Sequence, residues 1–199
     1  MNFSAQHGRR LAFSIGMLVF LSGCASGADP MRMVVRLPPA DSNFPAALQH
    51  SMCVRTVTGG EATNPLWVSK VSNQDFQSAL AQSMDAAGLS ASSAACKYPV
   101  DANLLGLAQP SIGFDLEVTS HVNYKVYDTA AQPVMLETIS AAYTAKVSEA
   151  FAAVKRLQLA NEGSIRGSIT QFLEKLRAVM LPQATPSATL PVPERSAMN

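Results

Sequence analysis

Residues 114–126 read Phe-Asp-Leu-Glu-Val-Thr-Ser-His-Val-Asn-Tyr-Lys-Val. Phe114, Leu116, Val118, Val122, Tyr124 and Val126 alternate with Asp115, Glu117, Thr119, His121, Asn123 and Lys125. A period of two is the pattern of an extended strand with one face buried and one face wet. Asp128 to Pro133 is turn-forming, and Val134 to Val147 returns with Ile139, Ala141, Tyr143 and Val147 on one phase. Two such runs joined by a short turn predict an antiparallel hairpin.

Upstream, Val100 to Leu107 is a strand closed by Gln109-Pro110, and Met52 to Thr58 is a strand ended by Gly59-Gly60. Between them, Ser72-Asn73 offers an N-cap, with Asp75 placed favourably in the first turn. Phe76, Ala79, Leu80, Met84 and Ala87 recur at helical spacing, and Gly88 supplies a left-handed C-cap on which Leu89 can fold back. Downstream, Ser148 can cap a helix with Glu149 in its first turn. Phe151, Val154, Leu157, Ile165, Ile169, Phe172, Leu176 and Val179 mark its apolar stripe, and Gly163 inside the run allows one long helix or two. The order strand, helix, strands, helix predicts an α+β domain over residues 51–181: a mainly antiparallel sheet with two principal helices packed on one face.

The flanks differ in composition. Residues 24–50 contain Gly27, Pro30, Pro38, Pro39 and Pro45, which disfavour regular structure, and read as a tether in which Met31 to Leu37 could form a short edge strand. Residues 182–199, PQATPSATLPVPERSAMN, carry four prolines and read as a disordered tail. Residues 1–23 follow the order of a secretory signal: a polar stretch ending in Arg9-Arg10, an apolar run from Leu11 to Phe20, then small residues. That apolar run is too short to span a bilayer comfortably as a permanent helix. Leu21-Ser22-Gly23-Cys24 resembles the lipobox of bacterial lipoproteins. The resemblance implies cleavage before Cys24, acylation of its thiol and new amine with fatty acids such as palmitate, and stable anchoring by more than one chain. Ala25, rather than Asp, follows the anchor, which by likeness to the enteric sorting system implies the periplasmic face of the outer membrane.

Cys53 and Cys96 remain after Cys24 is committed to lipid. In an oxidising compartment they form a disulfide worth about 4 kcal/mol in chain entropy, or else stay as two buried thiols. A catalytic thiol is disfavoured because no His lies near either in sequence.

The chain is 48% hydrophobic and 15% charged, ordinary for a globular protein. Arg9 and Arg10 leave with the signal, so 15 Lys+Arg fall to 13 against 14 Asp+Glu. Near-neutrality excludes the strong field expected of a nucleic-acid binder. No catalytic constellation, metal site or cofactor motif is read. His121 beside Glu117 and Asn123 fits a solvated strand face better than a metal or acid/base site. Gly59-Gly60 lacks the context of a phosphate loop. Trp67, with Pro65 and Leu66, is either a binding anchor or a plug over the end of the sheet. Arg156, Asn161, Glu162 and Arg166 are spaced to stack along a helix, with Glu162 and Arg166 an i,i+4 pair. They are either a solvated face or, with Trp67, a partner-binding surface.

Gly59 to Trp67, Phe76 to Leu80, Arg156-Leu157 and Ala160 to Arg166 resemble a group of proteobacterial lipoproteins without an established activity, over roughly Met52 to Leu176. The order of elements is similar to small periplasmic α+β lipoproteins that serve envelope assembly or transport systems. That likeness is at the level of the fold, which does not carry function; the small domain, near-neutral charge, long tether and lack of catalytic groups fit a lipid-anchored, non-enzymatic envelope component that binds another protein. The alternatives are a carrier holding a lipid or other apolar envelope molecule in a groove, and an envelope hydrolase.

Overall fold

The structure, a computed structural model, describes residues 26–64, 68–92 and 95–179. The signal, Cys24, Trp67 and the C-terminal tail lie outside the described residues. The elements are α1 (Pro30–Met33), β1 (Met52–Thr58), α2 (Asn73–Ala86), β2 (Tyr98–Ala108), β3 (Leu116–Tyr127), β4 (Pro133–Ala145) and α3 (Ala153–Arg177), with a 3-10 turn at Pro39–Asp41.

The alternating run forms β3 and pairs antiparallel with β4, Leu116 opposite Ala145 and Val126 opposite Met135. Leu116, Val118, Val122, Tyr124 and Val126 point inward as expected, with Ser120 on the same phase. Phe114 does not, because the strand begins two residues later. β2 joins β3 antiparallel, and β1 joins β2 in parallel, giving the order β1-β2-β3-β4. The single parallel pair follows from α2, which carries the chain back between β1 and β2. The fold is the α+β class expected, its sheet mainly antiparallel.

The Ser72 hydroxyl caps α2, accepting from the Asp75 amide at 3.1 Å and donating to the Asp75 carboxylate at 2.6 Å. Phe76, Ala79, Leu80 and Met84 face the core. Gly88, at φ 72°, reverses the chain so that the Leu89 amide reaches the Met84 carbonyl at 2.9 Å. At the centre, Tyr124 stacks on Phe172 with centroids 4.4 Å apart and meets Phe76 edge-on at 6.4 Å. Its hydroxyl pairs with Ser168 at 3.0 Å, and burial pushes the phenol pKa up.

α3 is one uninterrupted helix, so Gly163 neither breaks nor bends it into two. The glycine serves close packing instead: a Cβ there would lie 2.2 Å from Cγ of Tyr143 on β4. The helix starts after Ala152, which offers no side-chain cap, and not after Ser148, because residues 147–149 form a turn. Phe151 and Val154 therefore precede the buried stripe and stay exposed.

The segment read as a tether is a packed strap. Ala28, Met33, Val35, Phe44 and Leu48 are all in the main core. Pro30 opens α1 under an Asp29 cap where an edge strand was expected, and the Val35 amide donates to Ser83 on α2 at 2.9 Å. Proline forbids regular ladders but not burial. The apolar residues of this strap follow no period, so pattern reading misses them. Cys53 and Cys96 are bonded, with Cα atoms 5.7 Å apart, tying the start of β1 to the turn before β2.

Candidate functional site

The polar residues singled out on α3 lie mostly inside the protein. Arg156, Asn161 and Glu162 are buried, and Arg166 is half-buried. A partner cannot reach the first three, so as a group they are not the surface expected of them. Their phase explains this. Gln158, Asn161, Ile165, Ser168 and Phe172 are successive i,i+3 or i,i+4 neighbours, so the polar residues continue the buried stripe toward the N-terminus of the helix.

What they hold is the N-terminal strap. The Gln158 side-chain amide donates to the Gly27 carbonyl at 2.7 Å, and the Glu162 carboxylate accepts from the Asp29 amide at 2.9 Å. The Asn161 amide nitrogen donates to the Ser69 carbonyl at 2.9 Å, and its oxygen accepts from Gln109 at 2.8 Å. The Ser69 hydroxyl in turn donates to the Ser26 carbonyl at 2.9 Å. Three distant stretches of chain thus meet along one turn and a half of α3. Gln109, Gln158, Ser69 and the strap itself were not recognised from sequence. The phase of Asn161 with Ile165 and Phe172 was the available signal.

Glu162 is 1% exposed. Burial raises its pKa, opposed by the Asp29 amide and by the charges of Lys155 and Arg32. Arg32 Nε lies 3.9 Å from the second carboxylate oxygen. Arg166 does not pair with Glu162; it donates to the Arg32 carbonyl at 2.8 Å and lies 5.6 Å from the centroid of the Tyr143 ring. Arg156 donates through Nη1 to the carbonyls of Ala150, at 2.9 Å, and Phe151, fixing the turn that enters α3.

Both principal helices cover one face of the sheet, and the other face is bare among the described residues. Thr58, Asn103, Asn123 and Thr138 stand in register across all four strands. Within that row Thr58 pairs with Asn103 at 3.2 Å, and Asn123 with Thr138 at 3.0 Å. In the neighbouring row, Arg55 Nε and Thr56 Oγ1 donate to Asp101 at 2.8 and 2.7 Å. The Arg55 hydrogen bond holds the Asp101 carboxyl below its usual range, with Thr56 and the Lys125 charge acting the same way against desolvation. The Arg55 guanidinium lies 4.6 Å from the Tyr127 ring centroid. Thr56, Thr58, Asp101, Asn103, Asn123 and Lys125 line a polar depression of about 190 Å³.

His121 lies on this face, but its groups do not converge. Its ring pairs with Ser140 at 2.8 Å, Glu117 accepts from Thr144 at 3.0 Å, and Asn123 donates to Thr138. Each bond runs across to β4. No group of three or more His, Cys, Asp or Glu that could hold a metal occurs among the described residues. No helix among them is long and apolar enough to cross a membrane.

No protein-family model matches the chain, and no curated protein matches it. Solved structures resemble it distantly. One is a candidate lipoprotein from Caulobacter crescentus, at 14% identity and TM-score 0.41, covering 52% of this chain and 78% of its own. Another is a Xanthomonas campestris protein of family DUF330, at 11% identity and TM-score 0.49, covering 76% and 92%. A third is a hypothetical protein from Chlamydia trachomatis, at 10% identity and TM-score 0.45, covering 65% and 99%. Likeness at this level identifies no function.

Proposed function

We propose that the chain is a lipid-anchored, non-enzymatic lipoprotein of the cell envelope, held through Cys24 at the periplasmic face of the outer membrane, that works by binding another envelope protein. The observation that supports it is the bare sheet face, with hydrogen-bonding side chains in register across four strands and a filled interior behind them. A face of Thr, Asn and Ser side chains with the Arg55–Asp101 ion pair and with Glu117, His121 and Lys125 is polar enough to stand in water and regular enough to be matched by a second protein. The carrier reading requires an apolar cavity, and the space between sheet and helices is taken up by Tyr124, Phe76, Phe172 and Ile169. The binding surface moves accordingly from the α3 residues to Asn103, Asn123 and Thr138.

The test uses a photo-crosslinking residue placed in living cells at Asn123 or Thr138, and at Gln77 and Gln82 on α2 for comparison. A discrete protein adduct at the sheet positions and none on α2 supports the reading. Adducts at α2 alone, or none at either, overturn it. Fatty-acid labelling of the same strains tests the anchor: label must enter the unaltered protein and be lost in Cys24→Ala.

A further inference from the structure

Three large apolar side chains stand almost wholly in solvent: Phe151 at 93% exposure, Ile112 at 90% and Phe114 at 87%. Scattered exposed apolar residues are normal in soluble proteins and need no account. These three are not scattered. Ile112 and Phe114 lie in the loop between β2 and β3, and Phe151 lies in the connection from β4 to α3. Leu116, which opens β3, pairs with Ala145, which ends β4, so both loops leave the same end of the sheet. The Val147 amide donates to the Asp115 carboxylate at 3.0 Å and joins them directly.

The course of the strap shows where the anchor leaves the domain. Asp29 is held at Glu162 and Gly27 at Gln158. Two residues toward the N-terminus therefore carry the chain four residues, about 6 Å, toward the start of α3. That is the end at which Phe151 and Val154 stand. Ser26 is then held by Ser69, whose neighbour Val68 is itself exposed. Cys24 precedes Ser26 by two residues, so its Cα lies no more than about 7.6 Å away. The leash is short, where a free tether of 25 residues would have reached far from the membrane.

Resting on the reading of Cys24 as the lipidated residue, we propose that this end of the domain docks on the bilayer that holds the anchor, with Ile112, Phe114 and Phe151 seated in its interface. Aromatic and branched side chains are suited to that layer. The turn carrying Phe151 is braced for it, because buried Arg156 holds the carbonyls of Ala150 and Phe151 and leaves the ring outside. The charges at this end are mixed, Lys146 and Lys155 with Asp115 and Glu149, so apolar contact carries the docking and salt weakens it little. The sheet then stands end-on to the membrane, and its bare face looks along the membrane surface.

The experiment places the unaltered, lipidated protein in phosphatidylethanolamine and phosphatidylglycerol vesicles whose acyl chains carry a photoreactive diazirine, and maps the adducts by peptide. Adducts should concentrate roughly tenfold in residues 109–115 and 146–154 over residues 128–133 at the far end of the sheet. Exchanging Ile112, Phe114 and Phe151 together for Ser, all at exposed positions, should remove that enrichment. An even distribution of adducts overturns the proposal. So does a pair of unlabelled loops that become protected only as protein concentration rises, which would assign the patch to a second copy. Intact mass separates the two readings: an acylated protein with unlabelled loops overturns the docking alone, and an unacylated Cys24 overturns both.

Discussion

Replacing Gly163 by Ala tests how closely α3 lies against the sheet. The added Cβ would stand 2.2 Å from Cγ and 2.3 Å from Cδ1 of Tyr143. Carbon atoms rest about 3.5 Å apart at their closest favourable approach, so about 1.3 Å must be found. Cγ is the ring atom nearest the β4 backbone, and the ring cannot swing clear of the clash by moving its far end. Helix or strand must shift, a class of overpacking that costs about 1–3 kcal/mol. An overlap this deep lies in the upper part of that range, about 2–3 kcal/mol, and alanine returns about 1 kcal/mol of helix propensity, leaving a net loss of about 1–2 kcal/mol. For a domain of this size that is a fall in Tm of roughly 2–8 °C, readable by thermal or urea unfolding. The same change on a Tyr143→Ala background meets no ring and should be neutral or slightly stabilising. An unchanged or raised Tm in the single variant, or an equal loss on both backgrounds, would refute the packing argument.

Three further outcomes follow from the same contacts. Alkylation of the unreduced, folded protein should find no free thiol at Cys53 or Cys96, and replacing both by Ser should cost about 2–4 kcal/mol in chemical denaturation; quantitative alkylation without reductant would contradict the bond. Asn161→Ala leaves the Ser69 carbonyl without this donor and Gln109 without this acceptor, so it should cost about 1–3 kcal/mol and speed hydrogen exchange around Ala28 and Lys70, whereas unchanged exchange there would remove Asn161 from the clamp. Glu162 has a folded pKa raised by burial, so the folded state holds its proton longer than the unfolded chain, and stability falls as pH rises from the ordinary carboxylate range through the raised value. Glu162→Gln should abolish that part of the pH dependence while keeping an acceptor for the Asp29 amide; superimposable profiles of ΔG against pH for both proteins would show that the carboxylate is not the cause.

What the sequence by itself determined lies where structure is local. The two-residue period of 114–126 and the return of 134–147 specify a hairpin because side chains in a strand alternate by geometry alone. The Ser72 cap, the spacing from Phe76 to Met84 and the reversal at Gly88 specify α2, since capping and helical period act within a few residues. The class, an α+β sheet with helices on one face, followed from those elements and the need to bury their apolar faces. Tertiary structure alone decided the rest. Residues 28–48 join the core through apolar side chains without a period, and their partners on α2 and α3 lie up to 136 residues away. Arg156, Asn161 and Glu162 look like a wet helix face until the strap and Ser69 arrive to satisfy them, because a buried polar residue and a solvated one read alike in a sequence. Phe114 and Phe151 look like core residues until the first turns out to precede its strand and the second its helix. Whether an apolar side chain is covered depends on where distant chain passes over it, and that is decided by the closing of the fold.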